Sequence, residues 1–165
     1  MQPIEMMEPS KKPCWNCGKT MVCQVYRHVE HVGSARVTDE TGHAYQCADC
    51  GEVELTTDEI AGYERRAAAT VLRDGRNTTG SVLRYARKAL GLKQTELAQL
   101  LGCTAEHVSR AENAHTDYGQ AELLAIVALL DGVEQGTEDL HARLEAHARP
   151  SLHEFNVPGG KRRAG

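Results

Sequence analysis

The sequence predicts an α+β chain in two parts: a small β-rich module stapled by cysteines, then an all-α bundle containing a helix-turn-helix. Three observations predict it. Two Cys-x-x-Cys pairs, Cys14/Cys17 and Cys47/Cys50, bracket a stretch whose apolar residues alternate with period two. From Ser81 onward apolar residues recur with helical period. The spacing Gln94, Ala98, Gly102, Val108 also meets the demands of two helices crossing steeply over almost no turn.

The chain has 165 residues, 41% hydrophobic but only 4% aromatic, so its core is aliphatic and modest. No apolar run approaches the roughly 18 residues a membrane span needs. Residues Met1 to Pro13 contain no apolar stretch of signal-peptide length, so a cytoplasmic, bacterial location is expected and no membrane partner. A formal charge of −4 excludes a generic polycation, so nucleic-acid binding must come from a local patch.

Residues 1–12 read as a disordered leader. Residues 13–54 read as the zinc-binding module. In each cysteine pair two thiolates three positions apart can address one ion from a tight turn. The glycine after each pair (Gly18, Gly51) lets the backbone turn without a Cβ clash. Cys14, Cys17, Cys47 and Cys50 together make a closed tetrahedral set for one structural Zn2+, with no open position for a substrate. Two disulfides fit a reduced compartment poorly, a redox pair needs only one of the two pairs, and an iron–sulfur cluster would sit on spacing unlike a ferredoxin's. Cys23 and Cys103 read as small, partly buried apolar residues, and His28, His31 and His43 as solvated polar ones. Met21 to Tyr26, Ala35 to Val37 and Ala44 to Gln46 read as strands. Alone they bury too little surface, so the metal must supply folding energy.

Residues 55–80 read as a connecting helix and linker. Thr57 or Asp58 is the expected N-cap, with Ile60, Tyr63, Ala67, Val71 and Leu72 on the apolar side and an end near Asp74-Gly75. Arg76 to Gly80 is the linker. Residues 81–148 read as the helix-turn-helix DNA-binding and dimerisation domain. Its helices carry Val82 to Leu90, Gln94 to Leu101, Thr104 (the N-cap) to about Asn113, Leu123 to Leu130 with a stop at Asp131-Gly132, and Glu138 to Ala148. The segment 149–165 reads as a disordered tail.

The run Leu92 to Gly102 followed by Val108 to Asn113 resembles the Cro/phage-repressor (XRE) family of DNA-binding domains. That resemblance implies a second helix lying in the major groove of double-stranded DNA. Its groove-facing positions here are Thr104, Ala105, Glu106 and Arg110, with His107 and Ser109 at the edge. Arg110 is the candidate for base readout, because a guanidinium pairs bidentately with guanine. Gln94 is the candidate phosphate contact, aided by amides at its helix start. Residues 81–115 hold five Lys/Arg against three acids, whereas 116–165 hold five against eight, so positive charge concentrates near this helix pair. Glu106 departs from the pattern, since an acid there suits a cytosine amino group or solvent.

The order of modules, from Cys14 to about Asp131, resembles the MqsA (YgiT-type) antitoxins of bacterial type II toxin–antitoxin systems. Cys14, Cys17, Cys47, Cys50, the helix opening Thr57-Asp58-Glu59, and Gln94 through Glu112 with its Ser109-Arg110 pair carry the likeness. It implies a structural zinc, a zinc module that grips a cognate toxin, and a homodimeric C-terminal domain that binds the operon's own palindromic operator as a repressor. The alternative is a stand-alone zinc-containing XRE regulator with no toxin partner. No nucleophile–base set or phosphate-cradling glycine loop is evident, so no enzyme activity and no catalytic residue is expected.

Overall fold

The computed structural model describes residues 10–76 and 78–148, so the segments 1–9 and 149–165 of the expected leader and tail lie outside the described residues. Among the described residues the strands are β1 (Lys11–Pro13), β2 (Thr20–Val25), β3 (His28–Val32), β4 (Ala35–Asp39), β5 (His43–Cys47) and β6 (Val53–Glu54). The helices are α1 (Thr57–Asp74), α2 (Gly80–Ala89), α3 (Gln94–Leu101), α4 (Ala105–Glu112), α5 (Gln120–Glu134) and α6 (Leu140–Ala148). A β-rich N-terminal region thus precedes a helical region. No helix among these residues is long and apolar enough to cross a membrane.

The strands form two antiparallel sheets. One has the order β1-β2-β5-β6; the other is the hairpin β3-β4. In the first, the β2–β5 register sets Met21 opposite Cys47, and a small core of Cys14, Met21 and Cys47 closes beneath Tyr45. The expected leader is shorter than residue 12, because Lys11–Pro13 pairs with Thr20–Val22 as an edge strand. Proline is tolerated there, where one side of the strand needs no ladder donor. Lys12 lies over the Tyr45 ring, 4.2 Å from its centroid, and pairs with Glu54 on the far edge.

The hairpin β3-β4 leaves this sheet altogether. Its turn is Gly33-Ser34, with Gly33 at φ +61°, a conformation that a side chain disfavours. Val32, Ala35 and Val37 point inward and join the helical core, while His31 and Arg36 face solvent. The single module expected over residues 13–54 therefore divides its apolar residues between two cores.

Helix α1 begins one residue earlier than expected. Thr56 is its N-cap, accepting the Glu59 amide at 3.2 Å, and Gly75 closes it at φ 68°. It is no spacer. Ala67, Ala68 and Ala69 are all buried, and three consecutive helical positions face three directions, so the helix is covered on most sides. Alanine lets the hairpin on one side and α2 and α5 on the others approach closely. Ile60, expected on the apolar face, is instead 46% exposed. Tyr63 is buried and its hydroxyl donates to the Tyr26 carbonyl at 3.1 Å.

Helix α5 runs past Gly132 to Glu134. Gly132 is a close-approach residue, because a Cβ there would stand 2.8 Å from the Glu138 Cβ. The extension brings Glu134 to Arg65, at 2.9 Å, and to Arg66. Arg66 also binds Asp39 of β4 at 2.6 Å, so one guanidinium ties the hairpin to α5. Helix α6 packs on α3, where Gln99 Nε2 donates to the Leu144 carbonyl at 3.2 Å, and Asp139 caps its first turn.

Gly80, expected to end the linker, begins α2 and presses on the end of α4. A Cβ there would lie 2.4 Å from the Glu112 carbonyl oxygen. Backbone cannot retreat cheaply, so Gly80→Ala is expected to cost about 1–3 kcal/mol in denaturant unfolding. Burial pushes the Asp39 carboxyl up, but hydrogen bonds from the Thr41 hydroxyl and amide and from Arg66 outweigh it and hold it below the ordinary carboxylate value. Stability from such a group is complete above its unfolded value, near about 4, and disappears as pH falls through the lower folded one. Thermal stability should therefore fall below about pH 4, and less steeply in Asp39→Asn.

Candidate metal centre and nucleic-acid interface

The two cysteine pairs form two matching turns. Gly18 donates to the Cys14 carbonyl at 2.8 Å, and Gly51 to the Cys47 carbonyl at 3.0 Å. Both glycines hold φ above 70°. A left-handed residue lets the chain double back so that each pair presents its sulfurs inward. The strand pairing of β2 with β5 sets the two turns side by side. All four Sγ atoms lie within 4.8 Å of one another, with Cys14–Cys50 at 3.7 Å and Cys17–Cys47 at 3.6 Å. An ion about 2.3 Å from each of four tetrahedral sulfurs implies sulfur–sulfur edges of about 3.8 Å. The donor set thus fits Zn2+ in size and chemistry, and its four cysteines are unbridged.

The electrostatics agree. The Cys50 amide pulls the Cys47 thiol down to about 7, with further help from the Asp49 amide. The Lys19 amide lowers Cys17, but burial and the three neighbouring sulfurs outweigh it and push that thiol up to about 12. A cation among the four sulfurs favours the thiolate form that its binding requires. Cys14 and Cys47 are buried, whereas Cys17 and Cys50 stand at the surface, as does Trp15, which is 69% exposed. His28 is not solvated as expected. Its ring lies 4.4 Å from that of Tyr63 and its Nε2 is 3.2 Å from Glu30. His43 approaches Glu59 at 3.8 Å, and neither histidine faces the cysteines.

At the other end, α3 and α4 cross over Gly102, which adopts φ 68°. Ala98 and Val108 are buried at the crossing. Thr104 caps α4, its hydroxyl accepting the His107 amide at 3.1 Å. Thr104, Glu106 and Arg110 are exposed, and with His107 and Thr116 they line a shallow surface depression. Ala105 and Ser109 are half-buried at its border. Thr116 escaped the sequence reading because it lies beyond the helix, in the turn that folds back on it.

Three of the sequence-predicted positions make contacts within the protein. Gln94 does not extend to solvent; its Nε2 donates to Glu112 at 2.9 Å. At the start of α3, Glu96 accepts the amide of the N-cap residue Lys93 at 2.7 Å. His107 leans away toward α5, with Nε2 3.0 Å from Glu122 and its ring 5.5 Å from that of Tyr118.

Glu112 is the organising residue. It is 4% exposed and grips Arg87 of α2 through both oxygens, at 2.5 and 3.0 Å. Arg87 also donates to the Leu92 carbonyl at 2.7 Å. Burial pushes the Glu112 carboxyl up, but the Arg87 and Gln94 bonds outweigh it and hold it low. Arg84 lies 3.5 Å from the same carboxylate and donates to Asn113 at 2.8 Å. Arg84 and Arg87 therefore clamp α2, α3 and α4 together, and the surplus of positive charge expected near the helix pair is partly spent internally. Among the described residues of α2 to α4, Lys88 and Arg110 have no carboxylate partner.

Residues 83–134 match a helix-turn-helix family model. The match opens within α2 and closes on the last residue of α5, so it spans the helices that Glu112, Val108 and Leu130 hold together. No curated protein matches the chain.

Removing one member of a buried ion pair leaves the other uncompensated. Glu112→Ala is therefore expected to cost about 3–5 kcal/mol in chemical unfolding, far more than exposed Glu106→Ala.

Proposed function

We propose that this chain is a DNA-binding transcription regulator that reads a palindromic operator as a homodimer, with α4 in the major groove. The observation that carries it is Arg110. On an otherwise clamped helix pair, it stands exposed beside Thr104 and Glu106 with no acid neutralising it. A free guanidinium on a rigid groove-sized helix suits guanine. Unpaired Lys88 and half-exposed Arg84 supply nearby charge for phosphate. Leu124, 60% exposed on the outer face of α5 beside Ala121 and Ala128, supports a partner copy there.

The cysteine sheet holds one structural Zn2+ and docks a second protein. Exposed Trp15 at the tip of the first cysteine turn supports this, because large aromatics anchor protein interfaces. The partner in this reading is a cognate toxin, making the chain an antitoxin of the MqsA-like kind and the autorepressor of its own operon.

Selection of bound duplexes from a random library tests the DNA reading: a two-fold symmetric consensus is expected, and no enrichment refutes it. On that consensus, Arg110→Ala should weaken binding by about 1–3 kcal/mol at fixed salt while leaving helicity unchanged. Co-purification from the native operon tests the docking reading, with capture expected for the parent and lost in Trp15→Ala.

A further inference from the structure

The stretch between the cysteine turns does more than connect them. Strand β2 leaves the cysteine sheet at Val25 and the chain returns to it at His43; residues 26–42 in between form the hairpin seated in the helical core. Its root is braced. The Tyr26 amide donates to the Gly42 carbonyl at 3.0 Å, and the Tyr63 hydroxyl to the Tyr26 carbonyl at 3.1 Å. A Cβ at Gly42 would stand 2.5 Å from the Tyr63 ring, so strand root and helix are in close contact. Its strand β4 is clasped by Arg66, which holds Asp39 and Glu134 at once. Its tip rests on the start of α2, where a Cβ on Gly33 would lie 2.8 Å from Val82. The same helix start presses on the end of α4 through Gly80.

We infer that metal occupancy of Cys14, Cys17, Cys47 and Cys50 is coupled, through the hairpin and the Arg66 clasp, to the stability of the helix-turn-helix. Metal loss then loosens the groove reader and not only the sheet that holds the ion. The cysteine sheet has a core of three buried residues, so without an ion its strands fray. Frayed β2 and β5 free both ends of the hairpin, and docking it then costs more chain entropy. Coupling of this kind is reciprocal: weakening the clasp must weaken metal binding. The inference rests on the metal assignment made above and regulates the same reader, but it does not require the DNA reading.

Two measurements on the full chain test it. Zinc affinity is read by competition with a chromophoric chelator for the parent, Arg66→Met and the near-isosteric Asp39→Asn. These positions lie outside the metal centre, and a fall on the order of fivefold or more is expected in each. Hydrogen exchange of the parent is followed before and after EDTA. Amides of β3, β4 and α1 through α4 should accelerate along with those of β2 and β5, and added Zn2+ should restore them. Unchanged zinc affinity in both variants, or exchange in α3 and α4 that EDTA leaves unaltered, overturns the inference. Neither readout contains DNA, so a failed duplex selection and a failed coupling experiment are separate results.

Discussion

The seating of one hairpin against one helix organises this molecule. Val32, Ala35 and Val37 enter a core that also holds Ala67, Ala68 and Leu72. Burying a valine side chain contributes about 1.5–3 kcal/mol, and three small apolar residues on a two-stranded ribbon make a hairpin that would be marginal alone. The helix gains as much. A helix of 18 residues with three consecutive buried alanines has little apolar surface per residue and needs neighbours on several sides. The hairpin is one of them.

Around that contact the charges are arranged as ties between elements. Arg66 joins β4 to α5, and Glu112 joins α2, α3 and α4. Asp39, one partner of Arg66, and Glu112 are both held below their ordinary values although burial works against ionisation. Such pairs contribute little net energy relative to apolar replacements, but a buried carboxylate gripped in two places admits few alternative geometries. In the proposed reading of α4 as a groove-lying helix, it needs that rigidity at its base and freedom at its face. Glu112 supplies the first, and the unpaired Arg110, two residues earlier and so on the opposite face, the second.

Several features were legible because they are local. The cysteine spacing with glycine after each pair, the Thr104 cap, the Gly102 turn and the periodic stripes of α2 to α5 each depend on residues within about a dozen positions. Other features were hidden because their reason lies far along the chain. Ile60 fits the apolar period of α1, yet nothing packs there. Gly80 and Gly132 read as breaks, but both sit inside helices where a distant segment comes too close for a Cβ. That Gln94 donates to Glu112, 18 residues later, was likewise invisible in the local pattern.

By itself the sequence determined the chemistry of the two ends: four thiols able to converge on one ion, and a helix pair of groove-reading shape. Both follow from short-range stereochemistry, the turn a glycine permits and the face a helix repeats. Only the tertiary structure decided how the ends are joined. Residues 26–42 carry too weak a pattern to announce where they pack, because the apolar side of a short hairpin suits either sheet or helix equally. Which one it covers is settled by shape, and three alanines on α1 leave the space.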